Sequence, residues 1–184
     1  MADPVNPKCY SRMDRFAGIK DGERFDDMDL LKSVMNTETR IWGFQICKDT
    51  QAGYINMFRI ELAEDYGTAD YFDLTPGGPG VTGCLRYKIA DPKVDSISKI
   101  TVFTNGEIVG MTVIAGGRVG NFGNINVRDS VNFSFTREKP PIGIYGFTGA
   151  EFINGLGFIT YDLGDECQNF GKEDTSSNAD GQNT

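Results

Sequence analysis

The 184 residues contain no histidine. That removes an imidazole general base, the Ser-His-Asp and Cys-His nucleophilic arrangements, and every zinc site that needs a histidine. Cysteine is sparse. Cys9, Cys47, Cys84 and Cys167 are widely separated, and no Cys-x-x-Cys occurs, so a zinc knuckle is not expected. Four cysteines allow three pairings. Cys9 and Cys167 flank the expected core and are placed to clip the termini together; four free thiols are the other reading. Basic residues are also few, 18 Lys and Arg against 26 Asp and Glu, for a formal net charge of -8. A nucleic-acid backbone or an anionic membrane surface would need clustered cations, so neither is an expected partner. No stretch approaches a transmembrane span. Met1 to Phe16 lack the apolar run of a signal peptide. The location is then cytoplasmic if Met1 is the native start, or extracellular if a signal has been removed.

Glycine is plentiful at 23 residues, and Phe and Tyr, at 13 and 7, far outnumber the single Trp. Glycine turns between short aromatic and β-branched runs point to an all-β domain. The chain is long enough to bury a core without staples. The charge is uneven: residues 162–184 hold six acids and one Lys, net -5 of the total -8. That composition predicts a disordered tail from 164 to 184. The domain reading is an irregular arm over 1–17, a folded unit over 18–163, and the acidic tail.

One short unit, Ile-x-Gly-apolar-x-apolar, occurs three times. The copies are Ile41-Trp42-Gly43-Phe44-Gln45-Ile46, Ile108-Val109-Gly110-Met111-Thr112-Val113 and Ile153-Asn154-Gly155-Leu156-Gly157-Phe158. Each puts two large apolar residues at period 2, as a strand with one buried face requires. The glycine lies on the opposite parity, where it signals a bulge or a close backbone approach. Three copies suggest three similar sheets around a shared core.

Strands are expected at 39–47, 54–62, 85–89, 97–104, 108–114, 131–135 and 142–147, and again over the third copy. Residues 28–36 read equally as helix or strand. Residues 63–83 read as a long surface loop with a short strand at Tyr71–Leu74. Asn105-Gly106 marks a hairpin. Gly116-Gly117-Arg-Val-Gly120-Asn-Phe-Gly123 resembles a phosphate loop in its glycines only. A phosphate loop needs a helix N-terminus behind it. The next residues, Ile125–Val127 and Val131–Phe135, have strand period instead, so no nucleotide cofactor is expected. Asp26, Asp27 and Asp29 lack calcium-loop spacing and read as a solvated turn, so no metal is expected either.

With these pieces in order, the chain from Gly18 to Leu163 resembles a jacalin-related lectin. Gly22-Glu-Arg-Phe25-Asp26-Asp27 is similar to the family's opening Gly-x-x-aromatic-Asp-Asp. Arg40–Ile46 resembles its first-sheet strand. Ile108–Ile114, Val119–Gly123 and Val131–Phe135 resemble its middle run. Ile144–Gly149 and Asn154–Phe158 resemble its closing motifs. The resemblance implies a β-prism of three four-stranded antiparallel Greek-key sheets with pseudo-threefold symmetry. It also implies a sugar site built from the N-terminal Gly loop and a Gly-x-x-x-Asp loop before the last strand. Here that second loop is Gly149-Ala150-Glu151-Phe152-Ile153-Asn154. Asn154 stands at the Asp position and Ala150 at a Gly position, and the loop is about two residues short.

The candidate carbohydrate-binding residues are Gly18, Asp21, Gly22, Glu151, Phe152 and Asn154, with Phe122 and Tyr145 as stacking faces. Asp21 or Glu151 is the substitute carboxylate. On this reading, Asn154→Asp should tighten sugar binding, because an ionised acceptor makes the stronger bond. The same residues support two functions. One is a non-catalytic module that binds a glycan or glycoprotein. The other is a structural or assembly component, with protein partners or as a homo-oligomer, on a fold whose sugar site has degenerated. An acid/base hydrolase is a third class, and no carboxylate pair in the sequence points to it.

Overall fold

The structure, a computed structural model, describes residues 7–35, 40–48, 54–63, 83–89, 95–150 and 152–162. The tail from 164, the Tyr71–Leu74 strand, Glu151 and Cys167 lie outside them. In chain order the elements are β1 (Tyr10–Arg12), β2 (Ala17–Gly18), β3 (Glu23–Asp26), α1 (Met28–Val34), β4 (Arg40–Lys48), β5 (Ile55–Ala63) and β6 (Cys84–Lys88). They continue with β7 (Ile97–Asn105), β8 (Glu107–Ala115), β9 (Arg118–Gly123), β10 (Asp129–Ser134), β11 (Pro141–Thr148) and β12 (Ile153–Tyr161).

The strands form three antiparallel sheets. One has the order β10-β7-β8-β9, which is the Greek-key order of a fourth strand returning beside the first. A second has β5-β4-β6. The remaining sheet runs β12-β11-β3, with β1 and β2 both pairing β12. Tyr10–Arg12 face Tyr161–Ile159, and Ala17–Gly18 face Leu156–Gly155, so β1 and β2 act as one interrupted strand. Met13 N–H bonds Phe158 O at 2.9 Å across the interruption. Residues 10–12 are therefore part of a sheet, not of an irregular arm. Three residues carry too little alternation to be read as a strand, and their partner lies some 150 positions away.

Each copy of the repeat is the central strand of one sheet: β4, β8 and β12. The six residues at its inward parity, Phe44, Ile46, Met111, Val113, Leu156 and Phe158, are all at most 2% exposed and belong to one core cluster. Phe158 is the junction. Its ring meets Phe133 at 4.7 Å and Phe135 at 5.4 Å from the β10 side, and Phe58 of β5 at 5.9 Å. Side chains from the other two sheets thus meet this one ring.

The x position of the unit is a β-bulge in every copy. The ladder steps from Ile41↔Leu62 to Gly43↔Glu61, from Thr104↔Ile108 to Phe103↔Gly110, and from Thr148↔Ile153 to Phe147↔Gly155. Trp42, Val109 and Asn154 are the extra residues. The glycine after each takes a close approach. A Cβ on Gly43 would overlap Tyr87 O, one on Gly110 would overlap Asn124 O, and one on Gly155 would lie 2.5 Å from Ile19 O.

Residues 28–34, ambiguous in sequence, are helix, because Asp26 Oδ1 accepts the Met28 N–H at 3.0 Å and so starts the turn. At the hairpin, Gly106 alone takes positive φ, +80°, and Asn105 stays in the strand. Cys47 and Cys84 are cross-strand partners on β4 and β6 and form a disulfide. Cys9 is also disulfide-bonded, and no described cysteine is a free thiol.

The Asp26-Asp27 turn is not solvated. Asp26 takes Arg12 at 2.8 Å and Arg24 at 3.4 Å, joining β1 to β3. Asp27 is 7% exposed, and its Oδ2 accepts the Ile144 N–H at 2.8 Å. Its burial under α1 and β11 cannot be read from the turn's own composition. Desolvation pushes the Asp27 carboxyl up to about 7; the Ile144 hydrogen bond opposes the rise, and the Asp26 charge adds to it.

Substitution at the core and at the buried acid should read out differently. Phe158→Ala should cost about 3–5 kcal/mol in urea unfolding, the range for emptying a buried aromatic site. For Asp27, the folded state holds the proton more tightly than the unfolded chain. Its stabilising contribution is full below about pH 4 and is lost as pH rises through about 7. Asp27→Asn, neutral throughout, should show a flatter stability profile across that window. It should exceed the parent at pH 8 by up to about 4 kcal/mol, from ~1.4 kcal/mol per pKa unit. Parallel profiles for the two proteins would exclude a buried, proton-holding Asp27.

Candidate functional site

The third copy of the unit differs from the others in one chemical respect. Its bulge residue is polar. A bulge re-aims a side chain, and here it brings Asn154 against the turn that links β2 to β3. Asn154 is only 8% exposed. Its Nδ2 donates to Asp21 O at 2.7 Å, and its own carbonyl accepts the Ile19 N–H at 2.9 Å. One residue therefore holds the Ile19–Gly22 turn at both ends. Because the partner of the side chain is a carbonyl, the amide nitrogen must face it.

Glycine is required on the other side of this contact. Gly18 has φ +84° and Gly22 φ +110°, both in the region that side chains disfavour. A Cβ on Gly18 would overlap Asn154 O, and one on Gly22 would overlap Thr148 O and lie 3.0 Å from Asn154 Nδ2. Across the site, the Gly149 N–H bonds Phe152 O at 2.9 Å and closes the β11–β12 loop. A Cβ on Gly149 would lie 2.9 Å from Asn154 Oδ1. The Gly18–Gly22 turn and the Gly149–Asn154 loop thus meet through Asn154.

The groups left at this junction are few. The Asp21 side chain is exposed. Among the described residues, the Lys20, Asp21 and Phe152 N–H groups have no backbone acceptor. The Lys20 ammonium lies 5.1 Å from the Phe16 ring. Phe152 is half-buried against Tyr54, with ring centroids 4.7 Å apart. The arrangement offers hydrogen-bond donors, one carboxylate and an aromatic wall. Among the described residues no group of three or more His, Cys, Asp or Glu could hold a metal ion, and no helix is long and apolar enough to cross a membrane.

Two residues named from the sequence sit on β9 and β11. Phe122, on β9, packs edge-on to Phe44 at 5.9 Å. Tyr145 sits mid-strand on β11, opposite Gly157, beside Phe16 at 5.9 Å, and its hydroxyl donates to Met13 O. Burial and the neighbouring Asp14 charge raise its phenol above the usual range, opposed by Arg12. Neither ring is a contact of Asn154 itself; Tyr145 packs on Phe16, the ring beneath Lys20. Tyr54 is the residue the sequence reading missed. It immediately precedes β5, a strand of another sheet, and nothing local ties it to Phe152.

The β10-β7-β8-β9 sheet has an equivalent corner. Asn124 N–H bonds Val109 O at 2.8 Å, as Ile19 N–H bonds Asn154 O. Gly123, φ +69°, stands where Gly18 stands. But the bulge residue there is Val109, which has no polar side chain to hold a loop. Of the two corners, only the one at Asn154 carries a side-chain clip.

No family model and no curated protein matches the chain. Solved structures do. Wild-type Malaysian banana lectin matches with a TM-score of 0.54 and 20% identity, over 80% of this chain and 96% of that one. A single-chain recombinant jacalin matches at 0.59 and 14%, over 80% and 91%. A mannose-specific jacalin-related lectin from Morus nigra, solved in complex with mannose, matches at 0.58 and 16%, over 80% and 92%. These likenesses show the fold. The chain is a β-prism of the kind found in jacalin-related lectins.

Proposed function

We propose that this β-prism is a non-catalytic, lectin-like carbohydrate-binding protein. Its site is the junction of the Gly18–Gly22 turn and the Gly149–Asn154 loop. The observation that carries the reading is the double hold of Asn154 on the turn, through Asp21 O and the Ile19 N–H. It fixes the turn's backbone donors, and paired sugar hydroxyls need such a preset array. In this reading Asp21 supplies the charged acceptor. The Lys20, Asp21 and Phe152 amides supply donors, and the Phe152–Tyr54 pair supplies an apolar wall. Asn154 acts as the clip and not as the principal acceptor. The Morus nigra lectin holds mannose on this fold, which makes mannose the first ligand to test. The Cys47–Cys84 disulfide fits an oxidising compartment and supports the extracellular location.

Sugar titration of the parent, Asp21→Asn, Asn154→Ala and Asn154→Asp tests this, after each is shown to be folded. Loss of a charged hydrogen bond is worth about 1.5–3 kcal/mol. Asp21→Asn should therefore weaken binding by roughly 10- to 150-fold at 1.4 kcal/mol per decade. Asn154→Ala should weaken it less, roughly 3- to 12-fold for one neutral bond. Asn154→Asp should also weaken it, contrary to the expectation from sequence alone. It replaces the donor with a carboxylate facing the Asp21 carbonyl. Sugar binding that ignores all three substitutions would place the site elsewhere. A parent that retains no glycan would leave an assembly component on the same fold.

A further inference from the structure

A second concavity lies at the other end of β12. Asn154 and Thr160 are six residues apart on that strand, about 20 Å at roughly 3.3 Å per residue. The groove has a volume of about 370 Å3. That is near the lower end of the ~300–1,000 Å3 of small-ligand pockets. It is bounded by the β1 segment with residues 13–15 on one side, and by residues 134–139 after β10 on the other.

Its charge opposes that of the chain. Arg12, Arg15 and Lys139 line it against a single acid, Asp14, in a protein of net charge -8. Arg12 is already paired with Asp26. Arg15 is held in place without being neutralised. Its NH1 donates to Asn132 O at 2.7 Å, which leaves other guanidinium donors for a planar anion. Lys139 sits on a fixed turn. Its N–H bonds both Thr136 O at 3.2 Å and Thr136 Oγ1 at 3.1 Å. The rest of the lining suits a polyhydroxyl ring: the apolar surface of half-buried Met13 and the Ser134 and Thr136 hydroxyls, with Phe135 itself buried. A bare inorganic anion would use the two cations alone.

We propose that this groove is a second saccharide site, selective for a sugar ring bearing a carboxylate or sulfate group. The anion lies between Arg15 and Lys139, and the ring lies over Met13. The site is independent of the Asn154 junction and stands whether or not that junction binds sugar.

The test is calorimetric titration of the full chain at low salt with glucose, glucuronic acid, glucose 6-sulfate and inorganic sulfate. Parent, Lys139→Gln, Arg15→Gln and Asp21→Asn are compared. Lys139→Gln alters no contact that shapes the fold, so it stays interpretable if Arg15→Gln is destabilised. The parent should bind the two acidic sugars at least about tenfold more tightly than glucose, with the preference fading as salt rises. Lys139→Gln and Arg15→Gln should each erase that preference, and Asp21→Asn should keep it. Equal affinity for acidic and neutral sugars would overturn the proposal, as would a preference that survives both groove substitutions. Inorganic sulfate binding as tightly as the sulfated sugar would also overturn it, leaving an ion site only. Loss of the preference in Asp21→Asn alone would assign acidic sugars to the Asn154 junction instead.

Discussion

The structure depends on one backbone constraint repeated three times. At the start of β4, β8 and β12 an extra residue is inserted, and the glycine after it lets a neighbouring carbonyl come where a Cβ would stand. A bulge strengthens local twist and bends its strand. Three such bends at equivalent positions turn three sheets inward on one core. The residues after each glycine then alternate, and their inward members meet around Phe158. A side chain at Gly43, Gly110 or Gly155 would push the adjoining segment away and open the prism at that corner.

The same constraint explains why a side-chain clip is found at the Asn154 corner and not at the Val109 corner. The inserted residue is free of the ladder, so its side chain can be given another role. Trp42, Val109 and Asn154 occupy that position. Among the three residue types only asparagine pairs a donor with an acceptor. Between the Val109 and Asn154 corners, only the second ties a loop to the sheet through a side chain. The symmetry is a property of the backbone; the clip comes from breaking it in one side chain.

Much of this was legible in the sequence, and the limits were physical. Strand parity is local, so the inward pairs and the close approach at the repeat's glycines could both be read from short windows. The turn and loop that meet at Asn154 were legible through the resemblance. What failed to show was what depends on distant partners. Tyr10–Arg12 become a strand only because β12 supplies the ladder. Asp27 is read as solvated until α1 and β11 cover it. Phe122 and Tyr145 have the aromatic character of stacking faces, but parity sends one onto Phe44 and the other over Gly157. The sequence names the Asn154 carbonyl as an acceptor for a ligand; it does not show that the amide nitrogen donates to Asp21 O, a contact that no pattern in either segment announces.

The central claim is that the Asn154 junction presents backbone donors to a sugar. Backbone amide NMR of the full chain, titrated with mannose, addresses it directly. The account predicts saturable shifts at Lys20, Asp21 and Phe152, with Val109 to Asn124 unmoved. Shifts confined to Val109–Asn124, or to residues 134–139, would contradict it.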